Sequence, residues 1–318
     1  MKTVLVEGGL TLKVETSSVP LLALDTQVLI ALGREAASPG SGDVRATEFF
    51  KVAQDKVSKG RLLCFETNQR EEYLGSNDSA AIAKASLTLT RGVRCRHSHD
   101  VFKAELEVGM RAFLSGGMEI VIPMNARFDC NPDDVAKGPK GRVHRSTVGL
   151  AGPIAVLSRV QKPADVIALS NIKKAYSGLT YHQALSRELR ALALRFYSGQ
   201  ISDADANEYI DLWHAAGGSR VDVQRFAEFL CSAYSMHIPK NEIGASIFAD
   251  LMVDLKPIQT GDLHDSSHLA TALPVARYVL TDANMKDRLR RRKLDRRWAV
   301  DVFSLRTLGT LSSEIRKL

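Results

Sequence analysis

The clearest signals in this chain are short apolar runs that end in an acid. Pro20-Leu21-Leu22-Ala23-Leu24 runs into Asp25, and Thr26 to Leu32 then reads as the first turns of a helix. A strand that hands an acid to a helix start is how an open α/β sheet presents a functional residue at a strand's carboxyl end. Ser38 to Gly42 is a loop, and Val44 to Ser58 is an amphipathic helix with Phe49, Phe50, Val52, Ala53 and Val57 on its inner stripe. A second short strand, Arg61 to Phe65, leads to Thr67, a candidate cap for a helix whose first turns carry Glu71 and Glu72.

From about residue 76 to 237 the pattern is mostly helical, with helices expected over 79–89, 100–114, 181–197, 203–215 and 221–234. A Gly/Pro/Lys-rich stretch near 128–163 reads as an exposed loop. The last eighty or so residues alternate strand and helix. A helix over 240–252 leads through a polar turn at 261–265 to a helix over 266–273. The strand 277–281 then ends at Asp282, a basic helix spans 283–294, a strand spans 298–303, and a closing helix starts at Leu308. Such alternation predicts a parallel sheet covered by helices, a three-layer α/β/α sandwich. The expected organisation is a discontinuous core, 18–75 with 238–318, interrupted by the helical insertion 76–237.

Composition narrows this only slightly. A 45% hydrophobic fraction is that of an ordinary globular chain, and no run is apolar for long enough to span a bilayer. The amino-terminal residues carry no secretory cleavage pattern, so the expected location is cytoplasmic. Cys64, Cys95, Cys130 and Cys231 show no CxxC spacing, which argues against a zinc ribbon, a thioredoxin motif or a disulfide framework. A net charge of +7 favours a polyanionic partner, and its distribution must decide.

The acids form the candidate chemistry. Asp25 and Asp282 follow apolar strands directly, Asp265 lies at or before a helix start with Asp262 one turn earlier, and Glu71 and Glu72 open the helix after the second strand. Carboxyl ends of parallel strands converge on one edge, where such folds bind ligands. Clustered carboxylates repel unless a cation neutralises them, and an all-oxygen set suits Mg²⁺ or Mn²⁺. Taken singly, Asp25, Asp265 and Asp282 can each be a helix N-cap.

These segments resemble the PIN domain family. LLALDTQVLIAL at 21–32 resembles the family's opening strand–Asp–helix, and GDLHDSSHLATALPVARYVLTDANMKDRL at 261–289 resembles its late motif of Asp, His-Leu-Ala, Ala-Leu, strand and Thr-Asp. The likeness covers the two ends of the chain and not the middle. It implies a PIN-like α/β/α nuclease that uses Mg²⁺ or Mn²⁺ to cut single-stranded or structured RNA. Under it Asp25, Asp265 and Asp282 are metal ligands, and the remaining acid is Glu71 or Glu72, with Glu71 slightly preferred. Asp262 is an additional acid on the same turn, and Thr26 and Thr281 position their neighbouring aspartates. The family analogy also admits a toxin or defence effector, with an inhibitor or antitoxin-like partner and a dimeric state.

The run 288–297 is the strongest concentration of charge. Arg288, Arg290, Arg291, Arg292, Lys293, Arg296 and Arg297 either bind phosphates flanking the scissile bond or form a solvated helix exterior. Only 6% of residues are aromatic, so no base-stacking platform is visible. His268 follows the packed face of its helix. His97, His99 and His144 lack metal-ligand spacing and read as solvated loop residues. Two other functions stay open: a DNA nuclease of the same architecture, and a PIN-like scaffold that binds a protein through its helical insertion.

Overall fold

A computed structural model describes residues 1–37, 43–67, 79–138 and 163–318. Its strands are β1 (Lys2–Leu5), β2 (Thr11–Val14), β3 (Leu21–Leu24), β4 (Leu63–Phe65), β5 (Glu119–Ile122), β6 (Tyr278–Leu280) and β7 (Asp301–Phe303). They form two sheets, ordered β1-β2-β5 and β4-β3-β6-β7. Contacts divide the chain into two units, each holding one sheet.

The unit formed by Thr16–Ser98, Arg127–Gln161 and Ala272–Leu318 carries the four-stranded sheet, and all its strand pairs are parallel. β3 is flanked on both sides: Leu22 lies opposite Cys64 of β4 and Tyr278 of β6. All four residues of β3 are buried, which explains its unbroken apolar sequence, since a strand covered on both faces has no solvent side to alternate toward. The sequence-based fold class therefore holds at the level of a mixed α/β chain with a parallel sheet and surrounding helices.

Helix Thr26–Ala37 follows β3 and packs against Ser79–Thr90, while Val44–Ser58 packs against Leu308–Arg316. The inner stripe of Val44–Ser58 is Ala46, Phe49, Ala53 and Val57; Phe50 and Val52 are only half-buried, because the helical repeat turns them off the central face. Helix Ser79–Thr90 clusters with this sheet, and Pro239–Val253 clusters with the other unit, so the observed division differs from boundaries at 75 and 238. Most of the 128–163 stretch lies outside the described residues. Its start is a helix, Pro132–Lys137, in which Asp133 accepts hydrogen bonds from Ser17 and Ser18.

The other unit comprises Met1–Glu15, His99–Ala126 and Lys162–Thr271. β1 and β2 pair antiparallel around Gly8 and Gly9, whose φ values of 76° and 80° are ones a side chain rarely tolerates. β5 adds parallel to β2, in a region expected to be mostly helical. A core of Trp213, Phe226, Phe229, Leu106 and Met110 holds the helices of this unit together, and the Trp213 indole donates to the Ser219 carbonyl at 3.1 Å. The expected helix over 181–197 is two, Tyr181–Leu189 and Ala191–Tyr197, broken at Arg190. No described helix is long and apolar enough to cross a membrane.

Gly33 fixes the closest helix approach in the parallel-sheet unit. A Cβ there would lie 2.6 Å from the Ile82 Cγ1 and 2.7 Å from its Cα. Relief requires moving backbone, so Gly33→Ala should destabilise the protein by about 1–3 kcal/mol. Urea unfolding followed by circular dichroism measures this; an unchanged midpoint would show that the two helices are not held at this distance.

Candidate functional site

The parallel sheet runs β4-β3-β6-β7, so chain connections leave β3 in one direction and β6 in the other. The reversal falls between β3 and β6, the topological switch point at which open α/β sheets form a ligand crevice beyond the strands' carboxyl ends. Asp25 follows β3 and Thr281-Asp282 follows β6, one on each side of that point.

Asp25 is fixed from four directions. Its backbone N–H donates to Leu280 of β6 at 2.9 Å, and its carbonyl accepts from Leu29 N–H at 3.0 Å, starting the Thr26–Ala37 helix. Its Oδ1 accepts from Gln27 N–H at 3.3 Å, and its Oδ2 accepts from the Thr281 hydroxyl at 3.0 Å. The last bond ties the ends of two adjacent strands. Thr281 itself is buried, with its N–H on Phe303 of β7 at 3.0 Å. Thr26 is also buried.

Asp282 caps Ala283–Arg291, with Oδ1 accepting from Asn284 N–H at 2.6 Å and Met285 N–H at 3.1 Å. The capping reading of Asp25 and Asp282 and the site reading are thus compatible: each spends one oxygen on a helix start.

Electrostatics set Asp25 apart. Burial raises its pKa most. The Thr281 hydroxyl and the Gln27 N–H pull it down, the Asp282 charge pushes it up, and the Asp282 N–H lowers it; the balance is upward. A half-buried carboxylate with a like-charged neighbour is a place where a cation lowers the energy. Carboxylate oxygens are donors of the kind that bind Mg²⁺ or Mn²⁺, so the pair fits such an ion chemically.

The other expected residues are distributed differently. Glu71 and Glu72 lie outside the described residues. Asp262 and Asp265 stand on helix Thr260–Ala272 in the unit of the three-stranded sheet; this helix begins at Thr260, not near 266, so both acids are helical. Asp262 Oδ2 accepts from Gln259 N–H at 2.8 Å, which caps the helix start. Among the described residues, no group of three or more His, Cys, Asp or Glu side chains could hold a metal ion. The expected convergence therefore reduces, in the described residues, to Asp25 with Asp282.

His268 is buried, and burial with the Lys240 and His264 charges pushes its pKa down to about 3, as suits a packed neutral imidazole rather than a base. His99 pairs with Glu208 at 3.4 Å, and His144 lies outside the described residues. In the basic run, Arg290, Arg291, Lys293, Arg296 and Arg297 are exposed and Arg292 is half-buried. Arg288, expected with the other cations of the run, is instead buried on the inner face of its helix, as are Met285, Lys286 and Leu289. The helix also ends earlier than expected, at Arg291, and Lys293 takes a left-handed φ of 56° before a short turn, Leu294–Arg297.

One acid at the same sheet edge was not anticipated. Glu66 follows β4 as Asp25 follows β3, and the pattern Leu-Leu-Cys-Phe-Glu announces it. It is buried, accepts from the Ser86 hydroxyl, and has Arg94 Nε 3.7 Å from its carboxylate. The Arg94 guanidinium beside it offsets its charge.

No family model, curated protein or solved structure matches the chain.

The raised pKa of Asp25 has a measurable consequence. A carboxyl that holds its proton more tightly when folded penalises folding once pH rises above the ordinary value of 3.8. In EDTA, Asp25→Asn should therefore raise the urea midpoint at pH 7, with the gain shrinking as pH falls through the raised folded pKa toward 3.8 and absent below it. Equal or lower stability of the variant at pH 7 would contradict the partly desolvated charge.

Proposed function

We propose that the chain is a divalent-metal-dependent endonuclease of PIN-like architecture that hydrolyses phosphodiester bonds, with single-stranded or structured RNA as substrate. The observation that carries this reading is the pairing of Asp25 and Asp282 across the switch point of a parallel sheet, with Asp25 destabilised as an anion by burial and by its neighbour. Right-handed crossovers leaving β3 and β6 in opposite directions favour helices on both faces, the three-layer arrangement of such nucleases.

Asp25 and Asp282 would hold Mg²⁺ or Mn²⁺ through their carboxylate oxygens. Bound there, such an ion activates water and stabilises the leaving oxygen of a phosphodiester. The chain's own part is positional. Thr281 orients Asp25 Oδ2, the N-cap bonds fix Asp282 Oδ1, and the strand ladder holds the two backbones together. The sequence motif, rather than geometry, adds Asp265 as a ligand, Asp262 beside it, and Glu71 or Glu72 as the fourth acid. The exposed members of the basic run supply phosphate contacts.

The test is cleavage of end-labelled single-stranded RNA and DNA in Mn²⁺ or EDTA. RNA should be cut only with Mn²⁺. Asp25→Asn and Asp282→Asn should each lower the rate by more than about 100-fold, and Thr281→Ala by about 10–100-fold, the usual cost of losing a residue that orients a ligand. Cutting of DNA alone would keep the chemistry and change the polymer. Cleavage that persists in EDTA or in both aspartate variants would overturn the proposal.

A further inference from the structure

Helix Ala283–Arg291 begins at Asp282 and carries a buried cation that the acid pair does not explain. Lys286 is 7% exposed, and its ammonium donates to the Thr307 hydroxyl at 3.2 Å. Thr307 belongs to the turn Leu305–Thr307 just beyond the carboxyl end of β7, so Lys286 reaches the same edge of the sheet that bears Asp25 and Asp282. That hydroxyl is already committed: it donates to the Ser304 carbonyl at 3.1 Å and accepts from Ser304 N–H at 2.9 Å. Among the described residues it is the one hydrogen-bond partner Lys286 has, a neutral acceptor for a group with three donors and a full charge.

A lysine this little exposed, whose hydrogen-bond partner among the described residues is a neutral hydroxyl, is poorly compensated, and neutral packing of similar volume would serve the fold better. The neighbouring charge worsens matters. Arg290, one turn further along, is exposed, and with burial it holds the Lys286 pKa below the ordinary lysine value, while Asp287 offsets only part of this. Among the described residues Arg290 has no ion pair of its own. Asp282, Lys286 and Arg290 thus follow one another at four-residue spacing along one side of the helix, each step rising about 6 Å. The row passes from carboxylate to buried cation to exposed cation, and such steps match successive phosphates on an extended strand.

We propose that Lys286 and Arg290 form a phosphate track leading away from the acid pair, Lys286 holding the backbone phosphate next to the scissile bond and Arg290 the following one. The assignment rests on the nuclease reading above and names its substrate as an extended single strand entering along helix Ala283–Arg291.

The experiment is fluorescence anisotropy of a fluorescein-labelled oligouridylate, in EDTA so that no cleavage occurs, over a range of salt concentrations. Lys286→Met and Arg290→Gln should each weaken binding about tenfold at low salt, the scale of one lost charge-assisted hydrogen bond. Each should also reduce the slope of log affinity against log salt by about 0.7, the value for one phosphate contact on a single strand. Lys286→Arg keeps the charge and should keep the slope, which a purely structural lysine would not require. Arg290 is exposed, so its variant decides the matter even if Lys286→Met fails to fold. Unchanged slopes in the folded variants, alongside wild-type cleavage that needs Asp25, would overturn the track and leave the nuclease standing. Reduced slopes in a protein that cuts neither RNA nor DNA would uphold strand binding and overturn the nuclease.

Discussion

The structure of the candidate site depends on one unfavourable interaction: a half-buried carboxylate, Asp25, kept beside the like charge of Asp282. Folding alone gains little from that arrangement. An apolar residue at the end of β3 would suit a fully buried strand, and a second acid on the adjacent strand adds repulsion. The local structure nevertheless invests in holding Asp25 in place, through the Thr281 hydroxyl and the Gln27 N–H. Order imposed on a disfavoured charge is the pattern expected where a fold gives up stability for a function.

The same edge contains its own control. Glu66 ends β4 in the way Asp25 ends β3, yet Ser86 and Arg94 offset its charge. Neighbouring strands of one sheet thus place acids in different settings: Glu66 has an arginine beside it, whereas Asp25 has hydrogen bonds from Thr281 and Gln27 and the like charge of Asp282. At the far side of the edge Lys286 shows the mirror case, a buried cation whose hydrogen-bond partner is a neutral hydroxyl.

Much of this was legible in the sequence because it is local. The apolar runs before Asp25 and Asp282 fix two strand ends, and the helix starts after them follow from ordinary capping preferences. Glu66 carries the same signal, an acid directly after an apolar strand, whereas the family resemblance points to Glu71 and Glu72. The β1–β2 pair carries a signal the sequence reading left unused: the buried positions Val4, Val6, Leu10, Leu12 and Val14 alternate around two glycines. What local pattern does not contain is tertiary choice. Helix Ser79–Thr90 joins the parallel-sheet unit because Gly33 admits Ile82, a contact between distant segments. Arg288 sits in a run that composition reads as exterior, but the helical repeat set by Met285 and Leu289 carries it inward. Gly261 made the polar segment 261–265 read as a turn, whereas Asp262 caps a helix already begun there.

The most direct test of the central claim is binding of Mn²⁺ itself, read from the free-ion electron paramagnetic resonance signal without any nucleic acid. If the acid pair is a cation site, the wild-type protein takes up Mn²⁺, more tightly as pH rises and Asp25 ionises, and Asp25→Asn and Asp282→Asn each weaken uptake at least about tenfold. Superimposable isotherms for the wild type and both variants would mean that the two carboxylates share nothing but a sheet edge.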